Sequence, residues 1–387
     1  MSVTAAPGYA AAGVSAGIRP SGKPDVALVR SLGPAVGCAM WTTNRVQAAP
    51  VAVSRRHLAV AEPQAVVVNA GVANAATGPG GETDAERTAA HVAEQLELET
   101  EQVIVLSTGV IGPRLPLGKL LAGVDEAAVA LSPGGGPAAA SAILTTDAGP
   151  KTAAVHGDGF TVGGMAKGAG MIHPRLATML AVVTTDHALA PGEAERFLRP
   201  AVERSFNRIS VDGDCSTNDA VVLLAKRGVA NRDSTQDQQF AEALDAVCAD
   251  LARQIVADGE GATVVLEIAV SGAASAEEAR AIALRVATSP LVKTAAFGRD
   301  PNWGRVLAAA GSAPWNGGFA RLDPERLRVS FDGTDVFAGG APTGVVPTLA
   351  GSTSTIGLDL GLGDGECAYL ASDLSYDYVR LNAEYTT

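Results

Sequence analysis

Aromatic residues are scarce, at 4% of the 387 residues. A chain so poor in flat rings offers no stacking platform for single-stranded nucleic acid. Its formal charge of −12 would also repel a phosphate backbone. Charged residues reach only 18% against 47% hydrophobic ones. That balance excludes a disordered polyampholyte, because burial of apolar surface offsets chain entropy. The 44 glycines and 21 prolines follow no three-residue period, which excludes a collagen-like chain. Only four cysteines occur, Cys38, Cys215, Cys248 and Cys367, with no Cys-x-x-Cys and no Cys/His cluster at zinc spacing. A chain of this length buries a core without disulfide staples, and Cys248 reads as a small hydrophobe in a helix. No apolar run is long enough to span a bilayer. The first twenty residues hold no basic residue before Arg19 and no apolar signal-peptide core. The expectation is a reduced, cytoplasmic protein of two or three domains, or one large one, with neither nucleic acid nor membrane as a partner.

What is present is an alternation of strands and helices, an α/β pattern. The β-branched run 65–69 and the run 103–106 read as buried strands, the second broken by Ser107-Thr108-Gly109. Strands are also expected at 178–186, 220–225 and 263–270. Helices are expected at 84–97, 121–131, 137–145, 193–206, 238–257 and 275–288. The C-terminal part is β-rich, with an Asp332-Gly333 hairpin turn, and 341–355 reads as a loose loop.

Most familiar chemical motifs are missing. No segment has the GxxxxGK[ST] phosphate loop, and Gly164-Met165-Ala166-Lys167-Gly168 lacks its spacing and its hydroxyl. Gly157-Asp158-Gly159 is followed by Gly163, one residue late for a dinucleotide fingerprint. The glycine-dense stretch 156–174 therefore reads as tight turns and close backbone approach, with Lys167 a solvated loop lysine. The loop Asp212–Asp219 starts like a calcium-binding loop, but Thr217 and Leu223 stand where glycine and glutamate belong. It is either a turn dense in side-chain-to-backbone hydrogen bonds or a wall of an active site. No metal site is read, and the five histidines form no ligating pair. Thr108-Gly109 after an apolar strand suits either a plain strand end or an oxyanion hole made of a hydroxyl and a backbone N–H. Glu260 between two glycines cannot be a packed core residue, whereas Thr178 reads simply as a good strand former.

Eight segments in order resemble the ornithine acetyltransferase/glutamate N-acetyltransferase family of arginine biosynthesis. They are NAGVANAATG (69–78), VLSTGVIG (105–112), TTDAGPK (145–151), KGAGMIHPRLATML (167–180), SFNRISVDGDCSTNDA (205–220), ADGEGAT (257–263), SPLVKTAAFGRDPNWGRVLAAAG (289–311) and YVRLNAEYTT (378–387). The resemblance implies layered sheets and helices of the N-terminal-nucleophile-like kind, of the ornithine acetyltransferase/DmpA type. It also implies self-cleavage between Ala177 and Thr178, giving an alpha chain 1–177 and a beta chain 178–387 that starts with its nucleophile. The α-amine of Thr178 then serves as base to its own hydroxyl.

By the same resemblance Thr178 takes the acetyl group of N2-acetylornithine, ornithine leaves, and glutamate receives the acetyl group. Thr108 and Gly109 match the oxyanion-hole pair. Substrate-binding positions fall on Thr145 or Thr146, Lys167, Thr178, Glu260, Asn382 and Thr387. No cofactor is implied, acetyl-CoA is a possible co-substrate, and an α2β2 heterotetramer is expected. An N-terminal-threonine amidase or aminopeptidase of the same fold is the alternative. Cys215 stands where the family more often has Thr, His173, Arg175 and Leu176 depart from common neighbours of the cut, and 313–355 matches least. The cut would also divide the charge, net −1 before Thr178 and −11 from it onward.

Overall fold

The structure, a computed structural model, describes residues 2–173, 179–228 and 234–384. Residues 1–207 with 214–255 form one unit, and 208–213 with 256–386 form another.

The first unit opens with strands that the sequence pattern did not mark, β1 (Tyr9–Val14), β2 (Val26–Ser31) and β3 (Ala35–Trp41), followed by helix α1 (Ala49–Leu58). Next come β4 (Ala65–Val72), α2 (Gly78–Leu96), β5 (Val103–Val110), α3 (Leu117–Ala130) and α4 (Gly136–Ala142). Then follow β6 (Lys151–His156), β7 (Thr161–Lys167), β8 (Leu180–Leu189), α5 (Ala194–Arg204), β9 (Ala220–Arg227) and α6 (Ser234–Ala257). The strands form two sheets, ordered β1-β2-β4-β5 and β3-β9-β8-β7-β6.

Side-chain alternation stacks these sheets. Ala27 and Val29, Val66 and Val68, and Ile104 and Leu106 meet Met165, Val182, Val222 and Leu224 in one core. The opposite faces, with Val26, Leu28, Val67 and Val105, pack on α2 and α3. Helix α6 covers the far face of the five-stranded sheet: its buried stripe Phe240, Leu244, Val247, Leu251 and Ile255 recurs every three or four residues. The order is helix, sheet, sheet, helix, and the fold class is α/β.

Two expectations change here. Strand β5 is not broken at Ser107 but runs through Thr108 and Gly109 to Val110, in parallel register with β4. The glycine-dense stretch is not a loop over its middle, because Thr161–Lys167 is a fully buried strand between β6 and β8. Glycine is there for space. A Cβ on Gly163 would lie 2.4 Å from the Ser2 carbonyl oxygen, and one on Gly164 would lie 2.9 Å from Leu251 Cδ1. Helix α2 also starts earlier than its acidic turn suggested, at Gly78 with Pro79 in its first turn.

In the second unit one sheet holds β10 (Val265–Ala273), β11 (Arg328–Phe331), β12 (Thr334–Ala338), β13 (Thr353–Asp359) and β14 (Gly365–Ser372), edged by the two-residue strands Ala341–Pro342 and Ile209–Ser210. Its helices are α7 (Ala276–Ala287), α8 (Pro290–Phe297), α9 (Trp303–Gly311) and α10 (Tyr376–Glu384). The hairpin turn expected at Asp332-Gly333 joins β11 and β12, with φ of 47° and 78°.

Candidate active site

Parallel strands β4 and β5 carry polar residues at their C-terminal ends, where parallel strands deliver chemistry to a surface. Asn69 lies opposite Ser107, and Ser107 Oγ donates to Asn69 Oδ1 at 2.6 Å. Gly71 lies opposite Gly109. Gly109 has φ +130°, and a Cβ there would lie 2.2 Å from the Gly71 carbonyl carbon, so only glycine fits. Thr108 is buried, while Gly109 is exposed.

Lys167 ends β7 with 2% of its surface exposed, which corrects its reading as a solvated loop lysine. Its Nζ donates to Thr145 Oγ1 at 2.7 Å and to Thr108 Oγ1 at 3.3 Å. Three segments distant in sequence thus meet at one ammonium group. Because Nζ can only donate, the Thr108 hydroxyl accepts from it and is free to turn its own hydrogen outward. Of the two adjacent threonines, Thr145 meets Lys167, while Thr146 is exposed.

Asp147 underlies this cluster and was not singled out from the sequence. Its side chain is fully enclosed, 3.9 Å from Lys167 Nζ, and accepts from Lys151 Nζ at 2.7 Å. It also accepts the N–H groups of Gly168 at 2.6 Å and Thr145 at 2.9 Å. Burial pushes its pKa upward, but the Lys167 and Lys151 charges and the hydrogen bonds from Lys151 and Thr145 outweigh that effect. The carboxyl is held well below the usual range. One carboxylate between two buried lysines leaves a local excess of positive charge, which suits a carboxylate or a developing oxyanion. The sequence signal was the i,i+4 spacing of Asp147 and Lys151 inside TTDAGPK.

The loop before β9 also enters this unit. Asn218 Nδ2 donates to the carbonyls of Ser107 at 2.9 Å and Ala73 at 2.6 Å. Asp219 is fully buried, and its Oδ1 accepts the Met179 N–H at 2.9 Å. Burial is the main influence on its carboxyl and lifts it well above the usual range, although the Met179 N–H, Lys167, Thr42 and Ser216 oppose the rise. The Cys215 carbonyl accepts from Asn44 Nδ2 at 2.9 Å, and its Sγ lies 3.9 Å from Thr42 Oγ1.

In the second unit, Glu260 is half-buried and accepts from Asn382 Nδ2 of α10 at 2.9 Å. Ala177, Thr178 and Thr387 lie outside the described residues. Among the described residues no group of three or more His, Cys, Asp or Glu is placed to hold a metal ion, and no helix is long and apolar enough to cross a membrane.

The family model described as the ArgJ family matches residues 10–387. The arginine biosynthesis bifunctional protein ArgJ of Mycolicibacterium paratuberculosis is 48% identical over 396 residues, spanning 100% of this chain and 96% of its own. The protein of the same name from Thermobifida fusca is 45% identical over 390 residues, with both chains fully covered. A solved ornithine acetyltransferase of Mycobacterium tuberculosis, complexed with ornithine, is 48% identical over 45% of this chain and 94% of that one, with a TM-score of 0.44. With nearly its whole length matched by the family model and by relatives of such identity, the chain belongs to the ArgJ family.

Proposed function

We propose that this acyltransferase moves an acetyl group from N2-acetylornithine to glutamate through an ester on Thr178, after cutting its own chain between Ala177 and Thr178. The observation that carries the reading is the meeting of Thr108, Thr145 and Lys167 around one buried ammonium group. That group stands at the end of the strand whose Lys167 pairs with Leu180, two residues beyond Thr178.

In the first stage Thr178 Oγ attacks the Ala177 carbonyl carbon. The peptide C–N bond breaks as the acyl group moves to oxygen, and the Thr178 nitrogen leaves as an amine. Water then hydrolyses the ester to the Ala177 carboxylate and the free hydroxyl. In the second stage the new α-amine takes the proton of Oγ as it attacks the acetyl carbonyl of N2-acetylornithine. The ordinary pKa of an α-amine, roughly 8, suits that task near neutral pH. The proton passes to the departing amine of ornithine. The neutral amine of glutamate then attacks the acetyl ester and loses a proton, and Thr178 regains its hydroxyl.

The Thr108 hydroxyl and the Gly109 N–H would receive the oxyanion of each tetrahedral intermediate. Lys167 would orient that hydroxyl and, with Thr145, meet a substrate carboxylate. By the resemblance, Glu260 or the Thr387 carboxylate would meet the ornithine side-chain amine, and Asn382 donates to Glu260. The steps draw on no cofactor, and acetyl-CoA is a candidate second donor. We further infer a cytoplasmic enzyme of two copies of each fragment, to be checked by its native mass.

Intact mass of the purified protein should give fragments 1–177 and 178–387, and Thr178→Ala should give one uncut, inactive chain. An uncut wild-type chain, or a variant that still transfers acetyl, would overturn the mechanism. Incubation with N2-acetylornithine should yield N-acetylglutamate only when glutamate is present. Acetate release indifferent to glutamate would make the protein a hydrolase. Glutamate with acetyl-CoA alone tests the second donor.

A further inference from the structure

The loop Asp212–Asp219 has no part in the chemistry above, yet its last two residues touch both halves of it. We propose that Asn218 and Asp219 are positioning residues that hold the oxyanion-hole strand and the nucleophile strand in register. The proposal rests on the reading of Thr108-Gly109 and Thr178 given above, and it adds the device that sets their separation.

Asn218 is 5% exposed, and its side-chain amide is committed on both sides. Nδ2 donates to the carbonyls of Ser107 and Ala73, while Oδ1 accepts the Thr217 hydroxyl at 2.5 Å. The Ser107 carbonyl belongs to the peptide that leads into Thr108. Ala73 directly follows β4, whose Gly71 opposes Gly109. A single amide therefore clamps both parallel strands where they reach the site.

Asp219 makes the second clamp. Its Oδ1 accepts the Met179 N–H, and that nitrogen closes the peptide bond to Thr178. The next residue repeats the grip, with Ala220 N–H donating to the Met179 carbonyl at 3.2 Å. Asn218 and Asp219 are neighbours, so the two clamps are one covalent step, about 3.8 Å between Cα atoms, apart. The loop is itself anchored: Thr42 N–H donates to the Asp219 carbonyl, and Ala48 N–H to that of Thr217. The Asp219 carboxyl is fully buried and burial lifts it well above the usual range; what it supplies here is a hydrogen-bonding fixture, the bond its Oδ1 accepts from the Met179 N–H. An asparagine would reproduce that fixture, offering its carbonyl to Met179 and its amide to the hydroxyls nearby.

The test compares Asn218→Ala, Asp219→Ala and Asp219→Asn with wild type, with rates counted per cleaved chain by intact mass. Misplacement of reacting groups by about an ångström costs on the order of a hundredfold, so both alanine variants should lose roughly ten- to a hundredfold in kcat and in self-cleavage rate, with KM within about twofold. Asp219→Asn should recover the rate to within about threefold and keep the wild-type pH profile. Either of two outcomes overturns the proposal: Asn218→Ala at the wild-type rate, or Asp219→Asn as slow as Asp219→Ala with a displaced pH profile, which would make the carboxylate charge the working part. If Asp219→Ala does not fold, Asp219→Asn against wild type decides. A wild-type chain that neither cuts itself nor transfers acetyl would defeat the underlying reading instead, a distinguishable result.

Discussion

Replacing Asp147 by asparagine probes the electrostatics of the site most directly. The substitution keeps the shape and removes the charge that lies between two lysines exposed by only 2% each. Breaking a buried ion pair from one side costs about 3–5 kcal/mol, since a buried charge loses its compensation. The amide side chain of Asp147→Asn would still accept one backbone N–H, from Thr145 or Gly168, which argues for the lower end, about 3 kcal/mol. In a unit of this size each kcal/mol lowers Tm by roughly 2–4 °C, so the variant should melt about 6–12 °C below wild type. Calorimetry at pH 7 checks this. A second substitution, Lys151→Met, should return part of the loss, because the double variant buries one fewer unmatched cation.

The pH dependence supplies an independent sign. The folded carboxyl titrates well below its unfolded value, so its contribution is complete above about pH 4 and is lost as pH falls through the lower folded value. The gap between wild type and variant should hold from pH 8 to about 4 and narrow below. A variant melting within about 2 °C of wild type, or a gap that widens on acidification, would refute the claim that Asp147 compensates the charge of these lysines.

Thr108→Val keeps the side-chain shape but removes the hydroxyl, and should lower kcat on the order of a hundred- to a thousandfold with little change in KM, as steady-state kinetics would register. Lys293 of α8 is 4% exposed, donates to the Ser372 carbonyl and hydroxyl, and is pushed down to about 8 by burial, against the pull of Asp373 and Asp212. Its unfolded value near 10.5 is higher, so the folded state gains stability as pH rises from about 8 towards 10.5. Wild type should therefore gain about 2 kcal/mol on Lys293→Met between pH 7 and 9.5 in paired melts, and a constant difference would contradict the shift. Fragments 1–177 and 178–387 should co-elute from a sizing column and separate only in denaturant, whereas separation in native buffer would count against their interleaving in one sheet.

The parts of the fold legible in the sequence were those with a local period. Strands β4, β5, β8 and β9 begin within a couple of residues of their apolar runs, and the stripe of α6 follows from its spacing. Strand β7 was not legible, because two of its residues are glycine for reasons lying in Ser2 and Leu251, far along the chain. Lys167 was misread for the same cause: its burial depends on Asp147, and no spacing shows that a carboxylate elsewhere in the chain will neutralise a lysine. The site was legible as far as a resemblance could carry residue names, Thr108, Thr145 and Lys167 among them. It did not extend to Asp147, Asn218 or Asp219, whose roles are to fix backbone groups. A side chain that holds a carbonyl leaves no signature in composition, only in three dimensions.

Sheet order also bears on whether the proposed cut would leave the fold intact. The proposed cut lies between Lys167 at the end of β7 and Leu180 at the start of β8, two strands that pair with each other. In the order β3-β9-β8-β7-β6, the first fragment would own β3, β7 and β6, and the second β9 and β8. The second fragment's strands are flanked on both sides by the first's, Ala220–Lys226 by Trp41–Ala35 and Leu180–Thr185 by Lys167–Val162. To separate, the fragments would have to break both ladders and expose the core between the sheets, at a cost comparable to unfolding the unit. Cutting one connection would remove none of these contacts, so the pairing that holds the start of β8 at Leu180 would persist. Asp219, which grips Met179 from the loop before β9, would belong with Met179 to the second fragment. Asn218 reaches across to Ser107 and Ala73 of the first. After the cut, that amide would be part of what fixes the distance between the nucleophile's fragment and the oxyanion strand, a distance that no covalent link between residues 177 and 178 would any longer set.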